Sequence, residues 1–151
     1  MNEKLKQSMI SVSRAIGKLK LALEQNSTDE LVIDGTIQRF EFCIEVFWKM
    51  LKRALQEEGI ETGTPREAIQ RAYQVKWFDD ERLWLQMLHD RNQTSHIYDE
   101  EVAKAIYQRI PSYYQAMNEL LEKIQEKLIS SDQINECGLG SASNVVNLNI
   151  K

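Results

Sequence analysis

An all-α domain of about five helices is the fold this sequence predicts, on three observations. Apolar residues recur at spacings of three and four from the N-terminus to about residue 129. With six glycines and two prolines in 151 residues, the chain has too few turn-makers for an all-β fold. A composition of 42% apolar and 28% charged residues is that of a soluble globular domain. A chain of this length buries about 70% of its unfolded surface, so no disulfide or metal staple is needed.

Leu5, Met9, Val12, Ile16, Leu19 and Leu23 place a first amphipathic helix over about residues 3 to 25, stopped by the polar segment Gln25 to Asp29. A long second helix follows from about Asp29 to Glu58, with Ile37, Phe40, Ile44, Phe47, Trp48, Leu51 and Leu55 on one arc and Gly59 as its terminating glycine. Thr64, Pro65 and Glu67 open the third, as N-cap, first helical residue and capping-box partner, and it should reach about Lys76. Asp79 or Asp80 caps a fourth, carrying Leu83, Trp84, Met87 and Leu88 and fraying within Asn92 to Tyr98. Asp99, Glu100 and Glu101 suit the start of a fifth, whose apolar face runs from Val102 through Ile106, Ile110, Tyr113, Met117, Leu120 and Ile124 to Leu128. Pro111 should kink it by removing a backbone hydrogen bond.

Past residue 129 only Asp132, Glu136 and Lys151 carry charge and no aromatic occurs. The chain therefore divides into a helical domain, 1–129, and a flexible C-terminal tail, 130–151, in which the alternating run Val146 to Ile150 is a possible docking strand. On the second helix, Phe42, Val46 and Met50 project roughly opposite the main apolar arc. Two readings stand side by side: a helix buried all round by its own chain, and a two-fold homodimer interface.

No window reaches the roughly 20 apolar residues of a membrane span, and the N-terminus lacks a signal-peptide core, so a cytoplasmic location without membrane contact is expected. Cys43 and Cys137 are distant and in unlike contexts, which leaves Cys43 as a small buried hydrophobe. A net charge of -4 argues against nucleic-acid binding by bulk electrostatics. Locally the balance differs: between residues 39 and 53 of the second helix, Arg39, Lys49, Lys52 and Arg53 outnumber Glu41 and Glu45. That pattern is a solvated face, or, if the helix borders a phosphate-binding cleft, a backbone track of which Arg39, Lys49 and Arg53 are the contacts. Trp48 and Trp84 lie on apolar arcs, which assigns them to the core rather than to base stacking.

The chain has no Gly-rich phosphate loop, HExxH, CxxC pair or GxSxG elbow, and its two histidines cannot form a three-histidine metal site. Chemistry concentrates in the polar run Leu88 to Glu100. Arg91 offers a guanidinium fork for a phosphate, and His96 exchanges a proton near neutral pH. The pair suits cleavage of a phosphodiester in which a ribose 2′-hydroxyl attacks its own phosphate. On an unbroken helix the two stand about 140° apart, so a joint site needs a helix break between them or assembly across a dimer. Spacing alone also fits a simpler reading, a helix C-terminus met by Arg91 and His96 with Asn92 as cap.

Three blocks in order carry a resemblance: Asp34 to Phe42 continuing to Trp48, Lys49, Leu51 and Lys52; Thr64 to Glu67 with Trp84 and Met87; and Asp90, Arg91, Asn92, Thr94, Ser95, His96, Tyr98, Asp99, Glu100. Over about residues 5 to 125 the sequence resembles the nucleotidyltransferase substrate-binding protein family, a branch of the HEPN superfamily. The resemblance implies an antiparallel up-and-down bundle that dimerises, and a partner gene for a minimal nucleotidyltransferase. In related toxins, Arg, four residues, His, one residue, Tyr forms a metal-independent ribonuclease site at the dimer cleft. Carried over, this makes Arg91 and His96 catalytic with Asn92 in support, and Tyr98 the acceptor of AMP from an antitoxin nucleotidyltransferase. RNA is then the substrate and no cofactor is expected. The family name itself implies the alternative, a non-catalytic subunit that presents a nucleotide or substrate to the nucleotidyltransferase.

Overall fold

Five short polar side chains open five helices. The computed structural model describes residues 2–138. The side chain of Asn2 accepts from Leu5 N at the head of α1 (Glu3–Glu24), and Asp29 accepts from Leu31 N at the head of α2 (Glu30–Glu57). Thr64 accepts from Glu67 N to start α3 (Pro65–Gln74), and Asp80 accepts from Leu83 N to start α4 (Glu81–Gln93). Asp99 accepts from Glu101 N, 2.9 Å away, before α5 (Glu100–Gly138). Each bond satisfies a donor that the first helical turn leaves unpaired. The box at α3 is displaced by one residue, because Glu67 accepts from Gly63 N at 2.7 Å rather than from Thr64 N.

Helix ends follow the same economy of local bonds. After α2, Gly59 sits at φ 79 while Ile60 N and Gly59 N donate to Leu55 O and Gln56 O, both at 2.9 Å. The same pair of bonds closes α3, where Trp77 N and Lys76 N donate to Ala72 O and Tyr73 O. There the left-handed residue is Lys76, at φ 67, which ends α3 two residues before its expected limit. α5 passes through Pro111 and continues to Gly138, so the boundary expected near Ser130 falls inside a helix. Ser, Asp and Gln lower helix propensity only slightly, and no glycine interrupts the run until Gly138. Residues 139–151, with the run Val146 to Ile150, lie outside the described residues.

The elements form an up-and-down bundle in which α2 touches every other helix. Phe40 stacks on Tyr113 of α5 at 5.3 Å, and Phe47 meets Trp84 of α4 at 5.2 Å. All the expected apolar faces are inside, apart from the half-buried Leu23, Trp48, Leu83 and Val102. Cys43 is buried, and burial pushes its thiol up to about 12. Among the described residues no helix is long and apolar enough to cross a membrane.

The second apolar row of α2 divides. Phe42 is 58% exposed and Val46 is half-buried, whereas Met50 is 0% exposed and belongs to the core of its own chain. A row of residues spaced by four advances about 40° around the helix at each step, so by Met50 it has moved about 80° from Phe42 and under cover. Met50 is thereby removed from the expected interface, and an outward face of Phe42 and Val46 remains.

Candidate functional site

The helix break that the motif requires is present. α4 ends at Gln93, and Thr94 to His96 form a single 3₁₀ turn before α5. The buried Thr94 hydroxyl has two acceptors for its one proton, Arg91 O at 2.8 Å and Glu41 Oε2 on α2 at 3.0 Å. Asp99 N donates to His96 O at 3.0 Å, which closes the turn as Asp99 caps α5. His96 therefore leaves the α4 axis, and the 140° separation of an unbroken helix no longer applies. The His96 and Tyr98 rings lie 6.0 Å apart, both on exposed residues. The carbonyl of Arg91 is met by Thr94, not by Asn92; Asn92 Oδ1 instead accepts from Arg91 Nη1 at 3.0 Å.

Arg91 reaches across to α2, where its Nη2 pairs with Glu45 Oε2. Glu45 also accepts from Trp48 Nε1 at 3.3 Å and has Lys49 Nζ at 3.9 Å. The bond from Arg91 is the main cause holding the Glu45 carboxyl below its usual range, with Trp48 and Lys49 adding to it against the opposing effect of burial. Two of the five guanidinium N–H donors are engaged, leaving three for an anion that approaches the exposed side. Sequence reading missed Glu41 and Glu45 as site residues. Their spacing of four on α2 is common on any surface helix, and only the approach of α4 gives it meaning.

The neighbouring residue faces the other way. Asp90 is 1% exposed, and Arg109 of α5 forks onto it, Nε to Oδ2 at 2.7 Å and Nη2 to Oδ1 at 2.9 Å. The Tyr113 hydroxyl donates to Oδ2 at 2.5 Å. Burial first, and the Asp90 carboxylate second, push the Tyr113 hydroxyl above its usual range, so it stays a donor. This cluster too was absent from the sequence reading, although a signal existed: Asp90 lies three residues after Met87 and seven after Leu83, a core position for a charge.

Of the three cations expected along a phosphate track, the structure brings only Lys49 beside Arg91's partner. Arg39 donates to Lys18 O at 2.8 Å and Arg53 to Ser8 Oγ at 2.5 Å, which ties both to α1. Trp84 and Trp77 are buried, and Trp48 is half-buried with its indole N–H on Glu45. Tyr98, 77% exposed, lines a groove of about 390 Å³ with Glu30, Asp34, Ile97, Glu100 and Lys104.

Comparison with known proteins places these residues in context. Residues 7–126 match the family model described as nucleotidyltransferase substrate binding protein like. Probable ribonuclease HepT of Haemophilus influenzae is 31% identical over 110 residues, covering 70% of this chain and 75% of that protein. A crystal structure from Thermus thermophilus superposes with a TM-score of 0.73 at 36% identity, covering 75% of this chain and 98% of that one. A structure from Haemophilus influenzae, described as revealing the fold of a substrate binding domain of a nucleotidyltransferase, gives 0.71 at 28% identity over 78% of this chain and 98% of that one. A chain from a toxin-antitoxin structure with AMP-PNP shares the fold, with a TM-score of 0.62 at 14% identity over 82% of this chain and 99% of the other.

Proposed function

The chain belongs to the nucleotidyltransferase substrate binding protein like family, and we propose that it is the HEPN toxin of a two-gene module, a metal-independent endoribonuclease silenced by AMP transfer to Tyr98. The observation that carries this reading is the break at Gln93 within the uninterrupted string Arg91, four residues, His96, Ile97, Tyr98. It frees His96 from the helix while Arg91 stays anchored. In the reaction, His96 takes the proton of a ribose 2′-hydroxyl, whose oxygen attacks the adjacent phosphorus; the P–O5′ bond breaks, and the 5′-oxygen takes a proton from water to leave a 2′,3′-cyclic phosphate and a 5′-hydroxyl. Arg91, supported by Asn92, stabilises the charge on the phosphorus oxygens, with Lys49 as the nearest further cation. The protein works in the cytoplasm as a homodimer joined across Phe42 and Val46.

Silencing follows from position. The Tyr98 hydroxyl attacks the α-phosphorus of ATP held by the cognate nucleotidyltransferase, and pyrophosphate leaves. The resulting phosphodiester puts a bulky anion beside the His96 ring, 6.0 Å from that of Tyr98, and repels RNA. The name of the Haemophilus influenzae relative supports the ribonuclease reading.

A second reading has its own support. Within one chain Glu45 already neutralises Arg91, and the family description is of substrate binding. The protein is then a non-catalytic subunit that presents a nucleotide or substrate to the nucleotidyltransferase. Purified protein incubated with RNA in the presence of a chelator decides between them. Cleavage that falls about 10²- to 10⁴-fold in His96→Ala, with unchanged thermal stability, is the expected result. A stable hetero-complex with no cleavage, and Tyr98 unmodified by ATP and the nucleotidyltransferase in mass spectrometry, would establish the second reading instead.

A further inference from the structure

Asp90, 1% exposed, is the most buried carboxylate near the site, and the reaction above does not use it. A lone carboxylate at that depth would be costly, yet both its oxygens are hydrogen-bonded, Oδ1 by Arg109 and Oδ2 by Arg109 and Tyr113. The fork and the hydroxyl come from α5, nineteen and twenty-three residues on, so the cluster is a tertiary clamp on the last turn of α4. Consecutive residues of a helix diverge by about 100°, which means that fixing Asp90 toward α5 fixes the direction in which Arg91 leaves toward α2. The clamp has a second effect: with both oxygens occupied, Asp90 does not compete with Glu45 or a phosphate for the adjacent guanidinium.

We propose that Asp90, held by Arg109 and Tyr113, is a positioning residue that sets the azimuth of Arg91 toward the charge developing on the phosphorus oxygens in the transition state. The inference rests on the reading of Arg91 as the phosphate ligand. A roll of about 10° in a helix whose side chains reach about 6 Å from its axis moves the guanidinium by about 1 Å, and a misplacement of that size costs about 10²-fold in rate.

The test is a double-mutant cycle read by urea unfolding of the full chain, pairing Asp90→Asn with Glu45→Gln. Asp90 and Glu45 share no hydrogen-bond partner in the structure, so a purely structural anchor predicts additive effects. If Asp90 instead directs Arg91 onto Glu45, loss of Glu45 matters less once the clamp is gone, and the unfolding constants depart from additivity by threefold or more. A smaller departure overturns the proposal. Should Asp90→Asn fail to fold, Tyr113→Phe replaces it under the same criterion, since it changes no charge and keeps the ring stacked on Phe40. With RNA as substrate, the clamp variants are expected to lose at least tenfold in kcat per folded molecule with KM unchanged, and a lesser loss contradicts the proposal. Wild-type protein that leaves RNA intact sinks the ribonuclease reading, while the unfolding cycle still judges the clamp.

Discussion

Replacing Glu45 by glutamine removes one charge and one of two acceptor oxygens: with the amide oxygen kept on the Trp48 indole, the amide nitrogen stands where Oε2 met Arg91 and faces it as a second donor. What is lost is the bond to Arg91. The two side chains are 23% and 36% exposed, so solvent screens the pair, and its contribution belongs near the upper end of the surface range, about 1 kcal/mol. For a chain of this size that lowers Tm by about 2–4 °C at pH 7. The pH dependence has a definite sign. The Glu45 carboxyl is held below its usual range by Arg91, so the stabilisation is complete above the unfolded value of about 4.3 and disappears as pH falls through the lower folded value. Thermal unfolding of both proteins across the acid range should show a gap that is constant from pH 6 to 8 and closes below about pH 4. It should also shrink in 1 M salt. Equal stability at pH 7, or a gap that persists undiminished at pH 2, would show that Arg91 is not tethered by this carboxylate.

Lys76→Gly should stabilise the protein by about 1 kcal/mol in urea unfolding, since a side chain at φ 67 carries a steric cost that glycine escapes. Loss of stability would mean that Lys76 has a compensating role. In a Cys137→Ser background, Cys43 should resist a thiol reagent at pH 8 until urea is added, because burial pushes its thiol up to about 12; rapid labelling of the folded protein would contradict that burial. Phe42→Glu places a charge on a residue that is 58% exposed, so monomer stability should change by less than about 0.5 kcal/mol. Sedimentation should show a dimer becoming a monomer; a dimer that survives the change would remove Phe42 from the interface.

The helices and their caps were legible because they depend on neighbours in sequence. Thr64 caps within three residues, as does Asp80, one of the two candidates read there, and Gly59 closes α2 by its own backbone freedom. The string from Arg91 to Tyr98 was legible as a motif for the same reason. What escaped was tertiary. Glu41 and Glu45 look like surface carboxylates until α4 lies beside α2, and Arg109 and Tyr113 acquire a purpose only when Asp90 is buried against them. Met50 was misplaced by treating a row of residues spaced by four as a straight line, although it winds around the helix. The end of α5 was misplaced because a fall in charge density is not a helix stop.

The site combines two kinds of control that the break at Gln93 separates. Before the break, every polar side chain from Asp90 to Asn92 has a partner: Asp90 on α5, Arg91 on α2, and Asn92 on Arg91 itself. After it, Thr94 holds the turn to α2, while His96 and Tyr98 stand exposed and face each other. A phosphate ligand benefits from being fixed in advance, because orientation is where its share of the rate is gained. A group that must accept a proton from RNA, and one that must enter another enzyme's active site, need access instead. On the proposed function, AMP on Tyr98 therefore acts on the accessible half of the site and leaves Arg91, with its clamp and tether, as it was. On that reading, silencing leaves every helix in place, because no buried bond has to break.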